Sequence, residues 1–397
     1  MSSSPEHYVS FVSGETVGTT RRQRKVNRTA VLLAVIPAVA LCGVLGLFGY
    51  MYGTRFSSAP TASLDASSVQ LWSSSASPFV LNSFNSFKWK FNKVYADEAE
   101  TEKRFKIFEK NLQWIEAHNA AHDHVKLEIN EFSDLTPEEF DQRFMGFSPM
   151  DGTNGVHPTH NLSSYSRDAL PQSVDWNAKK CVNPVMDQSS CGSCWAFSAV
   201  GALEGVHCKN TSKLGKLSEQ QLVDCSWGEG NKGCSGGLMD AAFRYVKKHG
   251  LCSETDYPYE AINGKCRARE CDPLLIGFNG FYDVPRRSET ALMAAVAEHG
   301  PVAVAIQANE MAFKFYKSGV LTEHCGSRMN HGVLLVGYGT ENGLDYWLVK
   351  NSWGRTWGDK GYIKLVRNSS KPSVGSHGQC GILDHASYPT EYEKQTN

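Results

Sequence analysis

The sequence has almost no net charge, with 40 lysines and arginines against 41 aspartates and glutamates in 397 residues. It therefore lacks the basic surplus that favours nucleic acid as a partner, and we expect none. It also has a single Cys-x-x-Cys pair, Cys191 and Cys194, with no βαβ pattern around it. The absence of a second pair argues against a zinc module, and the absence of the βαβ pattern argues against a thioredoxin-like redox site.

Cysteine is scarce in the first third of the chain, where Cys42 stands alone, and abundant from Cys181 onwards. Eleven cysteines lie in that later part, and an odd number leaves at least one of them unpaired. If Cys194 is a free nucleophile, the other ten can form five disulfides. Disulfides in such number predict an oxidising lumen.

Charge is also absent from residues 29–54, and five basic residues precede them, Arg21, Arg22, Arg24, Lys25 and Arg28. At about 1.5 Å per residue, a helix of this length crosses a bilayer core of about 30 Å. A signal peptide and a buried helix are the alternatives, but a signal peptide normally begins close to Met1 and has a shorter apolar core. We predict a cytosolic tail at 1–28, a type II signal anchor at 29–54 and a Ser-rich stalk at 55–78.

The run from Gln188 to Ser198 has the features of a nucleophile site. After Cys194 nearly every residue is apolar, which predicts a helix buried on all sides, capped by Ser193. Cys194 would then lie at the positive end of the helix dipole, which stabilises the reactive thiolate. The side-chain amide of Gln188 could donate a hydrogen bond to an oxyanion that forms beside the sulfur.

His331 opens a predicted strand, and Asn351 follows twenty residues later, beyond a hairpin with an Asn342-Gly343 turn. Neighbouring strands could bring the two side chains together, so that the asparagine oxygen holds one ring nitrogen and the other faces Cys194. A pair of this kind lowers a thiol pKa from about 8.5 to about 3 to 4. We therefore expect a resting thiolate, with Trp353 covering the hydrogen bond between His331 and Asn351.

The Cys191-Gly192-Ser193-Cys194-Trp195 pattern, taken with His331 and Asn351, resembles the papain family of cysteine peptidases. From Pro78 to Thr390 the chain is similar to cathepsin L-like members. The resemblance implies an α+β fold at 169–397, with a helical left domain and a β-barrel right domain. It also implies acyl transfer to Cys194, with His331, Asn351 and Gln188 as the other catalytic residues and with no metal or cofactor.

Upstream, residues 79–168 resemble an inhibitory propeptide that runs along the cleft in the reverse direction to substrate. Phe84, Phe87, Phe91 and Tyr95 recur at helical spacing and predict one amphipathic helix. A second helix and the segment after it carry the residues that resemble the propeptide signatures: Glu100, Arg104, Phe108, Asn111, Ile115, Asn119, Asn130, Phe132 and Asp134.

For substrate, the resemblance implies that Gly236 and Gly237 offer backbone groups that pair with the substrate. It also implies an apolar second-subsite pocket lined by Leu238, Met239, Ala305 and Met329, with His385 at its floor, and a substrate-binding role for Trp353. Ordinary core packing is the alternative for each apolar residue taken alone. His385 stands where cathepsin L-like members often have a small residue. We predict a preference for Leu or another apolar residue at the P2 position of substrate, with a pH dependence that His385 sets.

The family pattern implies the disulfides Cys191–Cys234, Cys225–Cys266 and Cys325–Cys380. Cys252–Cys271 resembles a pair of some protozoan relatives, and Cys181–Cys208 is left over; the sequence alone does not establish these connections. Glycosylation sequons are present at Asn161, Asn210 and Asn368.

The expected partners are protein and peptide substrates, the chain's own propeptide, cystatin-like inhibitors and, through the anchor, a membrane. The anchor, the pocket and the extra cysteines together resemble the membrane-tethered cathepsin L-like enzymes of apicomplexan parasites. This resemblance implies a type II proenzyme of the secretory and endolysosomal system that releases a soluble lumenal enzyme. A non-catalytic homologue that binds peptides is the alternative, against which the four intact catalytic positions argue.

Three histidines, His118, His122 and His124, cluster after the second propeptide helix pattern. Surface histidines mostly have no specific role. The functional hypothesis is that these three gain charge in an acidic lumen and loosen the propeptide.

Overall fold

The computed structural model describes residues 77–148, 162, 165–274, 278–367 and 374–390. The predicted span at 29–54, Cys42, Asn161 and Asn368 lie outside these residues. Within the described ranges, no helix is both long enough and apolar enough to cross a bilayer.

The propeptide begins with two helices, α1 (Pro78–Lys90) and α2 (Glu98–Ala121). Phe84 joins them, since its ring centroid lies 5.3 Å from those of both Phe105 and Phe108. The single helix predicted through Phe91 and Tyr95 is wrong, because α1 ends at Lys90. Tyr95 nevertheless stacks on Phe84 at 6.1 Å, since the turn after α1 folds it back onto the same aromatic cluster.

After α2 the propeptide forms the short strand β1 (Val125–Leu127) and helix α3 (Pro137–Phe144). Thr136 caps α3 in a capping box, in which its side chain accepts from the Glu139 amide and the Glu139 carboxylate accepts from the Thr136 amide. β1 pairs antiparallel with a strand of the catalytic domain. The propeptide therefore adds a strand to the sheet that it covers.

Five helices follow in the catalytic domain. They are α4 (Cys194–Thr211), α5 (Glu219–Cys225), α6 (Met239–His249), α7 (Glu289–His299) and α8 (Met311–Lys314). Short 3-10 turns lie at Arg167–Ala169, Ser226–Glu229, Gly233–Ser235 and Gln379–Gly381.

Helix α4 is buried along most of its length, as its apolar sequence predicts. Ser193 is the N-cap residue of α4, as predicted, but its side chain accepts from no amide of the helix. Its hydroxyl instead lies 2.6 Å from the Tyr259 hydroxyl. The Tyr259 hydroxyl donates to the Gln188 carbonyl over 2.9 Å, so the Ser193 hydroxyl is the donor in their contact.

The strands of the catalytic domain are β2 (Val174–Asp175), β3 (Phe281–Asp283), β4 (Val302–Ile306), β5 (Tyr316–Leu321), β6 (His331–Glu341), β7 (Leu344–Lys350), β8 (Tyr362–Val366) and β9 (Ala386–Pro389). Their order is β1-β5-β8-β7-β6-β4-β9-β3, and β2 pairs with β6. Among the described strands, the pairings therefore run in an open path from β1 to β3 and do not close the predicted barrel. At one end of this path, β1 of the propeptide pairs with the edge of β5.

Strand β6 separates two apolar cores. Val333 and Leu335 belong to the core that contains most of the sheet, whereas Leu334 and Val336 belong to the core around α4. Successive side chains of a strand point to opposite faces, so a continuous apolar run suits a strand that is buried on both. Because β6 starts at His331, the boundary between the cores places this histidine beside α4.

Candidate active site

Cys194 is the free cysteine among the described residues, and it is fully buried at the first position of α4. The Gly332 amide donates a hydrogen bond to its sulfur over 3.3 Å. Because Gly332 follows His331 directly, this contact places the predicted catalytic histidine next to the nucleophile. Strand β6 and helix α4, which are far apart in sequence, meet at this point.

His331 and Asn351 are held together by the β6–β7 hairpin, in which Leu334 pairs with Lys350, the last residue of β7. His331 Nε2 lies 2.8 Å from Asn351 Oδ1. The other ring nitrogen, Nδ1, is buried and has no hydrogen-bond partner among the described residues. The sequence analysis predicted that this second ring nitrogen faces Cys194, and the structure leaves it available for that contact.

The resting thiolate that we expected from the sequence is wrong for this form of the chain. Burial raises the pKa of Cys194 to about 11, although backbone amides, first that of Gly332 and then that of Gly146, oppose the increase. Burial also lowers the pKa of His331 to about 4, although the hydrogen bond that its Nε2 donates to Asn351 Oδ1 opposes the decrease. The propeptide removes both groups from water, and the burial of each group favours its neutral form.

Gln188 is buried beside Cys194, and its amide nitrogen is directed into the cleft. Nε2 donates to the carbonyl oxygen of Phe144, at the end of propeptide helix α3, over 3.1 Å and to that of Cys191 over 2.9 Å. Ser352 donates to Gln188 Oε1 over 2.6 Å and so fixes the direction of the amide. The Phe144 carbonyl of the propeptide thus occupies the Gln188 side-chain amide, the donor that we predicted for the substrate oxyanion. The sequence analysis did not identify Ser352 as a site residue, although it directly follows Asn351.

The segment after α3 lies across the cleft. The amides of Gly146 and Phe147 both donate to the Asn330 carbonyl, over 3.1 and 3.0 Å. Gly146 O accepts from Gly237 and Gly237 O accepts from Ser148, over 2.9 and 3.2 Å, in a parallel bridge. A side chain at Gly146 would overlap the carbonyl oxygen of Gly192, so only glycine fits there.

Phe147 enters the pocket predicted for the P2 side chain of substrate. It is buried in the same apolar cluster as Leu238, Met239 and Ala305, against which Met329 packs. The His385 ring meets it edge-on, with centroids 5.2 Å apart. His385 Nε2 also lies 3.6 Å from an oxygen of Asp240, a buried carboxylate that the sequence analysis did not assign to the pocket.

At Gly236 the backbone has φ +109°, and a Cβ would press against the Gly146 carbonyl. The propeptide segment can therefore pass this close to Gly236 only because the residue is glycine.

Trp353, predicted to shield the catalytic hydrogen bond, has its ring centroid 4.7 Å from that of His331. Phe132 and Phe140 of the propeptide pack edge-on against Trp353, at 5.5 and 5.2 Å.

The predicted propeptide residues make most of the contacts that hold this segment in shape. Asn111 Nδ2 donates to the carbonyls of Ser133 and Leu135, and Asn119 bonds both backbone groups of Leu127. Asp134 accepts from Lys93 and Tyr95. Phe108 and Ile115 are buried on the inner face of α2.

Asn130 connects the propeptide to the catalytic domain, since its Nδ2 donates to the Lys314 carbonyl over 2.7 Å. Lys314 returns a bond from Nζ to the Leu135 carbonyl, also over 2.7 Å. Burial lowers the pKa of Lys314 to about 7. Nothing in the local sequence singles out this lysine, because its burial depends on a segment that lies far away in the chain.

Arg104 is paired with two carboxylates. Its Nε donates to Glu100 and its Nη1 to Glu139, each over 2.6 Å. Glu139 was missed by the sequence analysis, although the Thr-x-x-Glu spacing of a capping box marks it. The hydrogen bond from Arg104 lowers the pKa of Glu139 from 4.5 to about 2.

Replacing Glu139 by glutamine is expected to destabilise the docked propeptide by about 2 kcal/mol near neutral pH, because it leaves a buried arginine short of a partner. The folded-state pKa is depressed, so the stabilisation is complete above about pH 4.5 and is lost as the pH falls towards about 2. The difference between Glu139→Gln and the unmodified chain should therefore shrink over that range, as followed by thermal unfolding.

The matched control is Glu102→Gln, which breaks an exposed pair with Lys106 on the same helix. We expect it to change stability by less than about 0.5 kcal/mol. An equal loss from both variants, or a Glu139→Gln loss that persists at pH 2, would contradict the assignment.

Five disulfides are present: Cys181–Cys208, Cys191–Cys234, Cys225–Cys266, Cys252–Cys271 and Cys325–Cys380. Four of them are the pairs that the resemblance suggested, and the fifth, Cys181–Cys208, joins the two cysteines that were left over. Cys191–Cys234 joins the segment before Cys194 to the segment before Gly236 and Gly237. It therefore connects the nucleophile to the wall of the cleft.

This arrangement defines a class of protein: a thiol hydrolase in which the nucleophile comes from a buried helix and its histidine–asparagine pair from a sheet. Two family models match the chain. The papain family cysteine protease model matches residues 170–390, and the cathepsin propeptide inhibitor domain (I29) matches residues 84–140. The chain belongs to the papain family of cysteine proteases.

The relatives include "Probable cysteine protease RD21B" of Arabidopsis thaliana, 47% identical over 293 residues, which cover 73% of this chain and 61% of that protein. A "Cathepsin L-like peptidase" of Aedes aegypti is 44% identical over 325 residues, or 78% of this chain and 93% of the relative. The proform of the ragweed pollen cysteine protease Amb a 11 has a TM-score of 0.72 at 38% identity, over 80% of this chain and 97% of that one.

The chain spans less than two thirds of the length of RD21B. The matches confirm the predicted family and the predicted papain-like α+β fold preceded by a propeptide. The two family models begin at residue 84, downstream of the predicted anchor at residues 29–54, which lies outside the described residues.

Proposed function

We propose that this chain is the proenzyme of a cathepsin L-like cysteine endopeptidase. The observation that carries the proposal is the meeting of the unbridged Cys194 with His331 and Asn351 at the junction of the two cores. A peptide-binding homologue without catalysis would have no need for a free thiol beside an oriented imidazole.

In the proposed mechanism, Cys194 transfers its thiol proton to His331 and attacks the carbonyl carbon of a substrate peptide bond. The Gln188 amide and the Cys194 backbone amide hold the oxyanion. The C–N bond then breaks, His331 protonates the leaving amine, and a thioester remains on Cys194. Water attacks the thioester with His331 as general base, and the carboxylic acid product leaves with the thiol restored. These steps require no metal or cofactor.

In the proposed zymogen, the propeptide occupies the cleft without presenting a bond for cleavage. The parallel bridge between Phe147 and Gly237 supports the reverse chain direction that the resemblance implies. Phe144 supplies a carbonyl to Gln188, and Gly146 covers the sulfur of Cys194. Activation then requires this segment to leave, which returns the thiol and the imidazole to water.

For processing, we propose a cut close to Leu170 that separates the propeptide, 79–168, from the peptidase, 169–397. The test is incubation of the full chain in mildly acidic buffer, followed by amino-terminal sequencing and hydrolysis of a fluorogenic Leu-Arg peptide. A processed species that cleaves this peptide and is inhibited by an epoxide thiol reagent supports the proposal. A processed species that binds the peptide but leaves it intact favours the non-catalytic homologue.

The proposed substrate preference is for Leu or another apolar residue at P2, in the pocket that Phe147 fills in the proenzyme. His385 and Asp240 supply the polar groups of that pocket. We expect kcat/KM for apolar P2 residues to change between about pH 5 and 7 as His385 gains or loses its proton. His385→Ala should remove this dependence and improve the acceptance of large apolar side chains.

The measurement is kcat/KM for a matched pair of Leu and Phe P2 peptides at several pH values. His249→Ala, a change at an exposed histidine of α6, serves as the control and should keep the parent profile. Identical profiles for the parent and His385→Ala would exclude this role.

For localisation, we propose a type II membrane proenzyme of the secretory and endolysosomal system, with residues 29–54 as its anchor and 55–78 as a stalk. The support is the uncharged run behind a basic cluster, together with the five disulfides. The proposed likeness to membrane-tethered apicomplexan enzymes rests on the same features. Carbonate extraction of microsomes should leave the full chain in the pellet and release the processed enzyme; release of the full chain would contradict the anchor.

Glycosylation at Asn161, Asn210 and Asn368 and inhibition by cystatin-like proteins are also part of the proposal. Asn210 is exposed near the end of α4, where an oligosaccharide would meet no obstruction. Removal of N-glycans should increase the mobility of the processed enzyme on a gel, and Asn210→Gln should abolish part of that shift.

A further inference from the structure

Four side chains converge where the end of helix α2 meets the loop after strand β5, away from the cleft. Nε2 atoms of His118, His122 and His124 lie 3.4, 3.9 and 3.4 Å from one carboxylate oxygen, Oε1 of Glu323. The histidines belong to the propeptide, and Glu323 belongs to the catalytic domain. The sequence analysis noted the histidines but missed Glu323, which lies about 200 residues further on.

Several polar atoms of this cluster lack hydrogen-bond partners among the described residues. His118 Nδ1 is buried without one, and His118 Nε2 and Glu323 Oε1 are buried with only their 3.4 Å contacts within the cluster. The His118 side chain is only 7% exposed. Burying polar atoms without partners costs about 1 to 3 kcal/mol each, so such a group indicates an additional ligand.

The surroundings position these atoms as metal ligands. His118 and His122 are four residues apart, on one face at the end of α2. His122 Nδ1 lies 3.0 Å from the His118 carbonyl oxygen, the kind of backbone contact that orients a ligating imidazole through its other nitrogen. The Thr322 amide donates to Glu323 Oε2 over 3.1 Å and leaves Oε1 directed at the histidines.

The spacing also fits a metal ion. Single ligand atoms of His118, His122 and Glu323 all lie within 4.8 Å of one another. Zinc binds histidine nitrogen and carboxylate oxygen at about 2.0 to 2.2 Å, which sets neighbouring ligand atoms of a tetrahedron about 3.3 to 3.6 Å apart. The 3.4 Å from Glu323 Oε1 to His118 Nε2 is of that size, and so is the 3.4 Å to His124 Nε2. The 3.9 Å to His122 Nε2 is a few tenths of an ångström longer, so His122 would move slightly towards the ion.

We propose that His118, His122 and Glu323 bind one zinc ion, with His124 beside the fourth coordination position. His124 Nε2 lies 2.6 Å from Thr322 Oγ1 in this structure, and it would exchange that bond for the metal or for a metal-bound water. Two histidines and a carboxylate are a common ligand set for this ion.

The site would join the propeptide to the catalytic domain. It lies next to the β1–β5 pairing, where Val125 is opposite Gly319 and the Val320 amide donates to the His124 carbonyl over 3.1 Å. A zinc ion there would add a coordinate link to this backbone contact and would hold the proenzyme together until the metal is lost. The sequence analysis predicted that the same histidines gain charge in an acidic lumen and loosen the propeptide, and this stays a prediction.

The test uses the full chain with Cys194→Ala, because this background resists self-processing and removes a thiol that could itself bind zinc. The protein is incubated with zinc chloride near neutral pH, passed through a gel-filtration column in metal-free buffer and analysed for zinc. We expect one zinc ion per chain in this background. In His122→Ala and in Glu323→Gln, the zinc content should fall to that of a metal-free blank. His324→Ala, an exposed neighbour in the same loop, is the matched control and should keep the ion.

A second readout covers the case in which His122→Ala does not fold. Zinc should raise the melting temperature of the Cys194→Ala background, EDTA should reverse the increase, and the nearly isosteric Glu323→Gln should show no shift. Cobalt in place of zinc should produce the visible absorption of a tetrahedral site. No retained zinc in the background, or equal zinc in Glu323→Gln, overturns the proposal. None of these readouts depends on the chain being a peptidase, so failure here would leave the proposed function standing.

Discussion

Replacing Cys194 by alanine is expected to lower kcat/KM for peptide hydrolysis by a factor of about 10⁵ or more. The sulfur is the atom that bonds to substrate, and no other thiol is free among the described residues. The fold should be unaffected, because alanine removes one atom from the first turn of α4 and the five disulfides remain. The measurement is hydrolysis of the Leu-Arg peptide after processing by an added protease.

His331→Ala should cost nearly as much, because the cysteine and the histidine act as one unit, and the double variant should be little worse than either alone. Asn351→Ala should cost less, since it removes only the group that orients Nε2 of the imidazole. The control is His249→Ala, at an exposed position of α6, which should retain full activity. Additive losses in the double variant would show that Cys194 and His331 act separately, and substantial activity in Cys194→Ala would remove the proposed mechanism.

Replacing Gly146 by alanine is expected to expose the nucleophile of the unprocessed chain. A Cβ there would overlap the Gly192 carbonyl, so the propeptide segment could not keep its hydrogen bonds with Gly237 and Asn330. Overpacking of this kind costs about 1 to 3 kcal/mol, which raises the open population by about 5- to 150-fold. Burial holds the pKa of Cys194 at about 11, so opening should also make the thiol more acidic.

The measurement is the rate at which iodoacetamide labels Cys194 in the full chain at neutral pH, before any processing. We expect Gly146→Ala to increase this rate by about 5-fold or more, with a parallel increase in peptide hydrolysis. Gly215→Ala is the matched control, because a Cβ at Gly215 meets nothing within 4 Å. Unchanged labelling in Gly146→Ala would mean that the segment after α3 does not protect the thiol.

Much of the candidate site could be predicted from local patterns. The apolar run after Cys194 predicted a buried helix, and α4 is one. The Asn342-Gly343 turn predicted the hairpin that brings Asn351 to His331. The prediction was less accurate at element ends, as for Phe91 and Tyr95, because the choice between another helical turn and a loop depends on what packs against it.

The sequence by itself determined the family, the order of propeptide and catalytic domain, and the identity of the candidate nucleophile. These follow from residue types at set spacings along one helix or one hairpin, where the contacts are local. It did not determine the disulfides: the family resemblance suggested three pairs, a resemblance to some relatives suggested a fourth, and the last pair was left over.

Only the tertiary structure decided the state of that nucleophile and the contacts of the propeptide. A pKa depends on the depth of burial, and Cys194 is covered by Gly146, which the chain brings back from about 50 residues upstream. The contact of Glu139 with Arg104, of Lys314 with Leu135 and of Glu323 with His118 likewise joins residues that no local pattern connects. Long-range packing sets these distances, so they become visible only once the chain is folded.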